Sequence, residues 1–260
     1  MLDTRRARQV CAAAVTRYWS GEPVLSFDTV VLGEGQVFPC RTCRPGTSAV
    51  EYAPLAEVTD RIAAALQAAP ATGILLAGPE PMGHPALPEI VRFAAAQGAA
   101  RIGLQTGAGA LAHGQNAPGS IATGVRLIEV PLLGADAAEH DARARTPGAF
   151  DAARAGVARF REAAAAAGDH VVVRGRLDVC AHTAASLPAT VATFAEWGAS
   201  SVVLEATGPL ARSDLAFVRA ACETGTVNRV WVAVRGVAPD TLGPDALHAS
   251  DVVECRGGRT

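Results

Sequence analysis

Two cysteines three positions apart, Cys40 and Cys43, sit in the glycine- and proline-bearing stretch GEGQVFPCRTCRPG, from Gly33 to Gly46. Thiolates so spaced on a loop suit a soft metal or an iron–sulfur cluster, because sulfur ligands tolerate the redox change of iron. By itself the pair reads equally as two ordinary loop cysteines. Four residues before Cys40, where a third thiolate would extend the set, stands Gln36, a neutral side chain with a hard oxygen. Cys180, Cys222 and Cys255 are candidates to replace it, with packing as the default role of a free cysteine. His182 beside Cys180 adds a zinc alternative. Glu80, Asp178 and Glu205 fall at the ends of apolar runs. Asp178 reads as a cap or an arginine partner, and Glu80 as the functional candidate of the three. His84 in GHP and His140 in EHD read as capping or solvent-facing residues. GAGAL is an incomplete dinucleotide fingerprint with no suitable acidic residue following, and is rejected as one.

Elements that would position these groups follow from the apolar pattern. The runs FDTVVLG, GILLAG, RIGLQT, RLIEVPL, HVVVRGRLDV and SVVLEA alternate with helical segments, and RVWVAVRG adds a further strand. Such alternation predicts parallel strands with crossover helices, and near-continuous apolarity predicts cover on both faces. Val58, Ile62 and Leu66 form one helical stripe, Ile90, Phe93 and Ala94 a second, and Leu187, Val191, Phe194 and Trp197 a third. In DAAEHD, Asp136 and Glu139 have the spacing of a capping box. About six units in this order predict an α/β fold, a partial (β/α)6 TIM-like barrel with its active face at the carboxyl ends of the strands. The expected division is an N-terminal helical extension over 1–25, the barrel over 26–225, and a C-terminal strand and tail over 226–260.

Composition narrows the chemistry. In 260 residues, 23 basic side chains nearly balance 25 acidic ones. No broad field then favours nucleic acid or an anionic membrane, and no apolar segment has the length of a membrane span. Every basic residue is arginine. The absence of lysine removes Schiff-base chemistry and the phosphate-loop lysine. Six cysteines at irregular spacing do not form a disulfide framework, which predicts a reduced, cytoplasmic protein.

Taken in order, the cysteine loop, AGPEPMGHP after the second strand, IGLQTGAGAL at the third, and EHD with TPGAF after the fourth resemble the radical S-adenosylmethionine (radical SAM) superfamily, from about Phe27 to Glu205. In that family, cysteines spaced C-x3-C-x2-C hold a [4Fe-4S] cluster whose fourth iron binds the amino and carboxylate groups of SAM. Cys40 and Cys43 match the second and third ligands, and Gln36 stands at the first. Gly78, Pro79, Glu80 and Pro81 match the G-G-E-P segment near the SAM amino group, with proline for the second glycine. Gln105 and Thr106 match the strand-three segment, His140 and Asp141 the helix after strand four, and Arg174 a position reaching the SAM carboxylate. Thr42 replaces an aromatic residue, and Pro79 removes a backbone donor. These departures imply a pseudoenzyme without an intact cluster and with weak SAM affinity, with no cofactor firmly expected and a cluster only if the missing ligand comes from elsewhere. The implied role is a non-catalytic companion subunit of an active radical SAM homologue in a biosynthetic pathway. The alternatives are an active radical SAM enzyme with an irregular cluster and a non-radical SAM-binding enzyme.

Overall fold

Alternate residues of a strand face opposite sides, so one sheet can carry an apolar surface and a polar one at once. This chain uses its main sheet in that way. The structure, a computed structural model, describes residues 27–35, 49–69, 72–206 and 210–235. Gln36, Cys40, Thr42, Cys43 and Cys255, with the segments 1–26 and 236–260, lie outside the described residues.

Strand β1 (Phe27–Val31) is followed by a short antiparallel pair, β2 (Gly33–Glu34) and β3 (Glu51–Tyr52). The order continues α1 (Leu55–Ala68), β4 (Gly73–Ala77), α2 (Leu87–Ala96), β5 (Ile102–Gln105), α3 (Asn116–Thr123), β6 (Val125–Pro131), α4 (Ala137–Ala144), α5 (Ala149–Ala167), β7 (Val172–Val179), α6 (Leu187–Glu196), β8 (Ser201–Ala206), α7 (Arg212–Val227) and β9 (Trp231–Arg235). The main sheet has seven strands in the order β1-β4-β5-β6-β7-β8-β9, every neighbouring pair parallel. It forms a curled half-barrel, in which six strands match the six expected units and the further strand expected over RVWVAVRG makes the seventh. That strand, β9, runs in register with β8 from Ser201↔Trp231 to Glu205↔Arg235.

One contact measures the curl. The Arg174 guanidinium carbon on β7 lies 5.2 Å from the centre of the Phe27 ring on β1, four strands away. A flat sheet would separate those strands by about 19 Å, so the inner faces must bend toward each other.

The outer face is the hydrophobic core. Ile74, Leu76, Leu104, Ile128, Val130, Val173, Val202 and Val232 pack with Val58, Ile62 and Leu66 of α1, Ile90 and Ala94 of α2, and Val191 and Phe194 of α6. Phe93, third member of the α2 stripe, is only half-buried against this cluster. Gly175 lets α6 approach β7 closely, since a Cβ there would stand 2.5 Å from the Phe194 ring. Asp136 caps α4 by accepting from the Glu139 N–H at 2.9 Å. The return bond misses the expected box by one residue: Glu139 accepts from Ala135 N–H at 2.8 Å. Among the described residues, no helix is long and apolar enough to cross a membrane.

Candidate functional site

Gly78 ends β4 at φ +129°, a left-handed conformation that a side chain would strain. It turns the chain so that Glu80 comes back over the strand ends. The Glu80 carboxylate accepts from the Thr106 hydroxyl at 2.7 Å, the Gly107 N–H at 2.9 Å and the Met82 N–H at 3.1 Å. The Tyr52 hydroxyl donates to the Glu80 backbone carbonyl at 2.8 Å. Glu80 thereby joins the ends of β4 and β5 and the hairpin. Burial pushes its carboxyl above the ordinary value, and the three hydrogen bonds offset only part of that rise.

Glu80→Ala should lower stability by about 2–3 kcal/mol in urea denaturation, because three donors lose their acceptor. Glu80→Gln should cost less, since only the Gly107 N–H then faces an amide nitrogen. With the folded pKa raised, the Glu80 contribution is complete below the unfolded value and is lost as pH rises through the folded one. The gap between wild type and Glu80→Gln should therefore narrow with rising pH. A gap that widens would contradict this geometry.

A second cluster lies on the inner face, one residue before Thr106. The Gln105 amide donates to Glu129 Oε1 at 2.7 Å. Glu129, 1% exposed, pairs with Arg174 Nε at 2.6 Å and lies 3.6 Å from Arg176. Arg176 also meets Glu205 at 2.6 Å and Asp178 at 3.5 Å. Burial alone would push the Glu129 carboxyl up, but Arg174, Arg176, the Gln105 amide and Arg235 together hold it below the ordinary range. Strand register explains the assembly: Gln105↔Glu129↔Arg174 form one row and Asp178↔Glu205↔Arg235 another. Arg174, Arg176 and Asp178 are two apart on β7 and share its inner face.

Gly78, Glu80 and Thr106 thus gather in one cluster, while Gln105 and Arg174 meet in another through Glu129. The sequence reading missed Glu129 as the hub. Its signal was present: a single carboxylate inside the apolar run RLIEVPL.

His84 and His140 are buried rather than solvent-facing. Each accepts a backbone N–H, His84 from Ala86 and His140 from the loop residue Leu133, both at 3.1 Å, so they tie loops down and neither is the side-chain cap of a helix. Burial holds the His140 imidazole below its ordinary value, against the pull of Asp141. Asp141 receives the Gly148 and Phe150 N–H groups at 2.6 and 2.9 Å and starts α5. Arg143 joins the loops after β6 and β7, donating to the carbonyls of Leu133 and His182. Cys180 packs against Thr183, and Cys222 belongs to the core, where burial pushes its thiol up to about 11. Among the described residues, no three His, Cys, Asp or Glu side chains converge as a metal site.

The half-barrel has counterparts among solved structures. The chain is similar to Streptococcus suis SuiB bound to the precursor peptide SuiA, with a TM-score of 0.63 and 11% identity over 88% of this chain and 52% of that one. It is similar to SuiB bound to S-adenosylmethionine with a TM-score of 0.59 and 11% identity, over 86% and 50% of the two chains. The fold is radical-SAM-like. At this identity the similarity concerns the fold alone, and the chain spans about half the length of the SuiB chains it matches. No protein-family model matches the sequence, and no curated protein sequence does.

Proposed function

We propose that this radical-SAM-like chain is a non-catalytic companion of an active radical SAM homologue, acting in the cytoplasm within a biosynthetic pathway. The observation that carries the reading is internal bonding. The polar groups that the family resemblance directs at SAM are engaged with one another: Glu80 with Thr106 and Gly107, Gln105 with Glu129, and Arg174 with Glu129. To bind SAM through them, the protein must first break bonds inside its own half-buried face. Each such exchange returns only about 1 kcal/mol net, so the remaining SAM affinity is weak.

The cysteine loop agrees with this reading. Two thiolates and the neutral Gln36 do not fit a cluster that needs three protein thiolates. A barrel that keeps its core but not its cofactor groups still offers a folded surface for another protein. The peptide-bound SuiB structure supports a protein or peptide as the kind of partner.

Iron and sulfide analysis of anaerobically purified protein, with paramagnetic resonance after reduction, tests the proposal. The expected result is less than one intact cluster per chain, SAM binding weaker than micromolar by calorimetry, and co-purification with a co-expressed homologue whose turnover depends on this chain. About four irons per chain with a reducible signal would sink it. Micromolar SAM binding without metal would replace it with the non-radical SAM-binding enzyme.

A further inference from the structure

Both backbone polar groups of one loop residue are held by side chains of α4. Leu133, two residues past the end of β6, donates its N–H to His140 Nδ1 at 3.1 Å, and its carbonyl accepts from the Arg143 guanidinium. Arg143 reaches on to the His182 carbonyl at 2.6 Å and the Ser186 hydroxyl at 3.3 Å, so the loops after β6 and β7 share one tie. The neighbouring Leu132 N–H donates to the Arg176 carbonyl at 3.2 Å, which bonds the loop to the strand that carries the inner-face arginines.

His140 is 5% exposed and stands edge-to-face with Phe150 of α5, 5.9 Å between ring centres. An imidazole nitrogen that accepts a hydrogen bond carries no proton, so the closed loop requires the neutral ring. A proton added at Nδ1 would face the Leu133 N–H, donor against donor. Among the charges around the ring, Asp141 favours the imidazolium, yet burial prevails and holds the group below its ordinary value of 6.5. The Asp141 carboxylate is itself turned to the Gly148 and Phe150 N–H groups. On α4, Glu139 and Arg143 pair with each other at 2.6 Å, and Asp136 caps the helix through the Glu139 N–H. On α5, Asp151 pairs with Arg154 at 2.8 Å. The segment after β7 meets this corner through the His182 carbonyl, and α6 through the uncharged Thr193, which donates to the Ala135 carbonyl at 2.7 Å.

We propose that His140 is a proton-operated latch on the loop 132–135: taking a proton at Nδ1, it releases the Leu133 N–H and loosens the loop beside the carboxyl ends of β6 and β7. The open loop leaves the ring in water with its ordinary affinity for a proton, whereas the closed loop lowers that affinity. The open form therefore binds more protons, so closure is fully favoured above pH 6.5 and weakens as pH falls below it, by at most about tenfold per pH unit for one proton. Arg143 and Glu139 keep their own bonds to the loop, which confines the change to this corner. The latch does not rest on the companion role, since it uses neither the cysteine loop nor Glu80.

The test is amide hydrogen exchange of the full ¹⁵N-labelled chain, corrected for the intrinsic pH dependence of exchange, alongside the His140 ring Hε1 resonance, assigned by its loss in His140→Gln. The expected result is a fall in Leu133 protection of about fivefold or more between roughly pH 7 and pH 5.5, while Ile128 in β6 keeps its protection. In His140→Gln, whose amide oxygen can accept the same N–H but does not titrate, Leu133 protection should not vary with pH. Constant Leu133 protection in the wild type would overturn the proposal, as would the same fall in His140→Gln. An equal fall at Ile128 would also overturn it, because that is acid unfolding of the whole chain. If His140→Gln does not fold, the wild-type contrast between Leu133 and Ile128, set against the His140 titration, decides the matter.

Discussion

Glu129→Ala should lower stability by about 3–5 kcal/mol, because it strands Arg174 on a buried face without its carboxylate at 2.6 Å and leaves the Gln105 amide without its acceptor. In a chain of this size that corresponds to a fall in melting temperature of roughly 10 °C, readable by calorimetry or urea denaturation. The ion pairs themselves need not stabilise the fold over an apolar interior, since desolvation offsets much of the Coulomb gain. The double variant Glu129→Met with Arg174→Met should therefore recover part of the loss, with Arg176 still held by Glu205 at 2.6 Å. Acidity gives an independent readout. The Glu129 carboxyl is held below its ordinary value, so its contribution is present above the unfolded carboxylate range and is lost as pH falls through the folded value. Removing this carboxylate in Glu129→Gln should flatten the acid limb of the stability curve. A Glu129→Ala variant within about 0.5 kcal/mol of wild type would show that Glu129 is not the hub of this network.

Gly156→Ala is the second large effect, and its sign runs against helix propensity. In an exposed helix interior, glycine to alanine gains up to about 1 kcal/mol. Here α5 lies so close to the turn after β5 that a Cβ on Gly156 would stand 1.8 Å from the Ala108 carbonyl oxygen. That turn is itself constrained: Ala108 has φ +61°, and its N–H donates to the Thr106 hydroxyl at 3.0 Å. The helix must move away or the turn must shift, and overpacking of this kind costs about 2–3 kcal/mol. The disturbance should reach Glu80, because Thr106 and Gly107 are its partners. Faster amide exchange at Gly107 together with a lowered melting temperature is the expected result. A raised melting temperature would mean that propensity wins and the close approach is not real.

The architecture was legible because it rests on local signals. Apolar runs of strand length, helical stripes such as Val58, Ile62 and Leu66, and left-handed glycine stops at Gly98 and Gly198 all act within a few residues of one another. Each of the seven strands of the main sheet lies where its apolar run stands in the sequence. Near-continuous apolarity concealed the difference between the two faces, since single charges such as Glu129 and Arg174 scarcely interrupt it.

Partnership was a matter for the tertiary structure. Glu80 was singled out from its motif, yet nothing in GPEP says that its carboxylate is already bound by the end of the neighbouring strand. Gln105, Glu129, Arg174, Arg176 and Glu205 are spread over about a hundred positions, and only register across parallel strands, together with the curl that brings Phe27 to Arg174, sets them in one space. The sequence by itself determined which segments are strands and helices, because hydrophobic burial follows local period. Which charges meet was decided by the sheet, because Coulomb and hydrogen-bond energies depend on separation in space rather than along the chain.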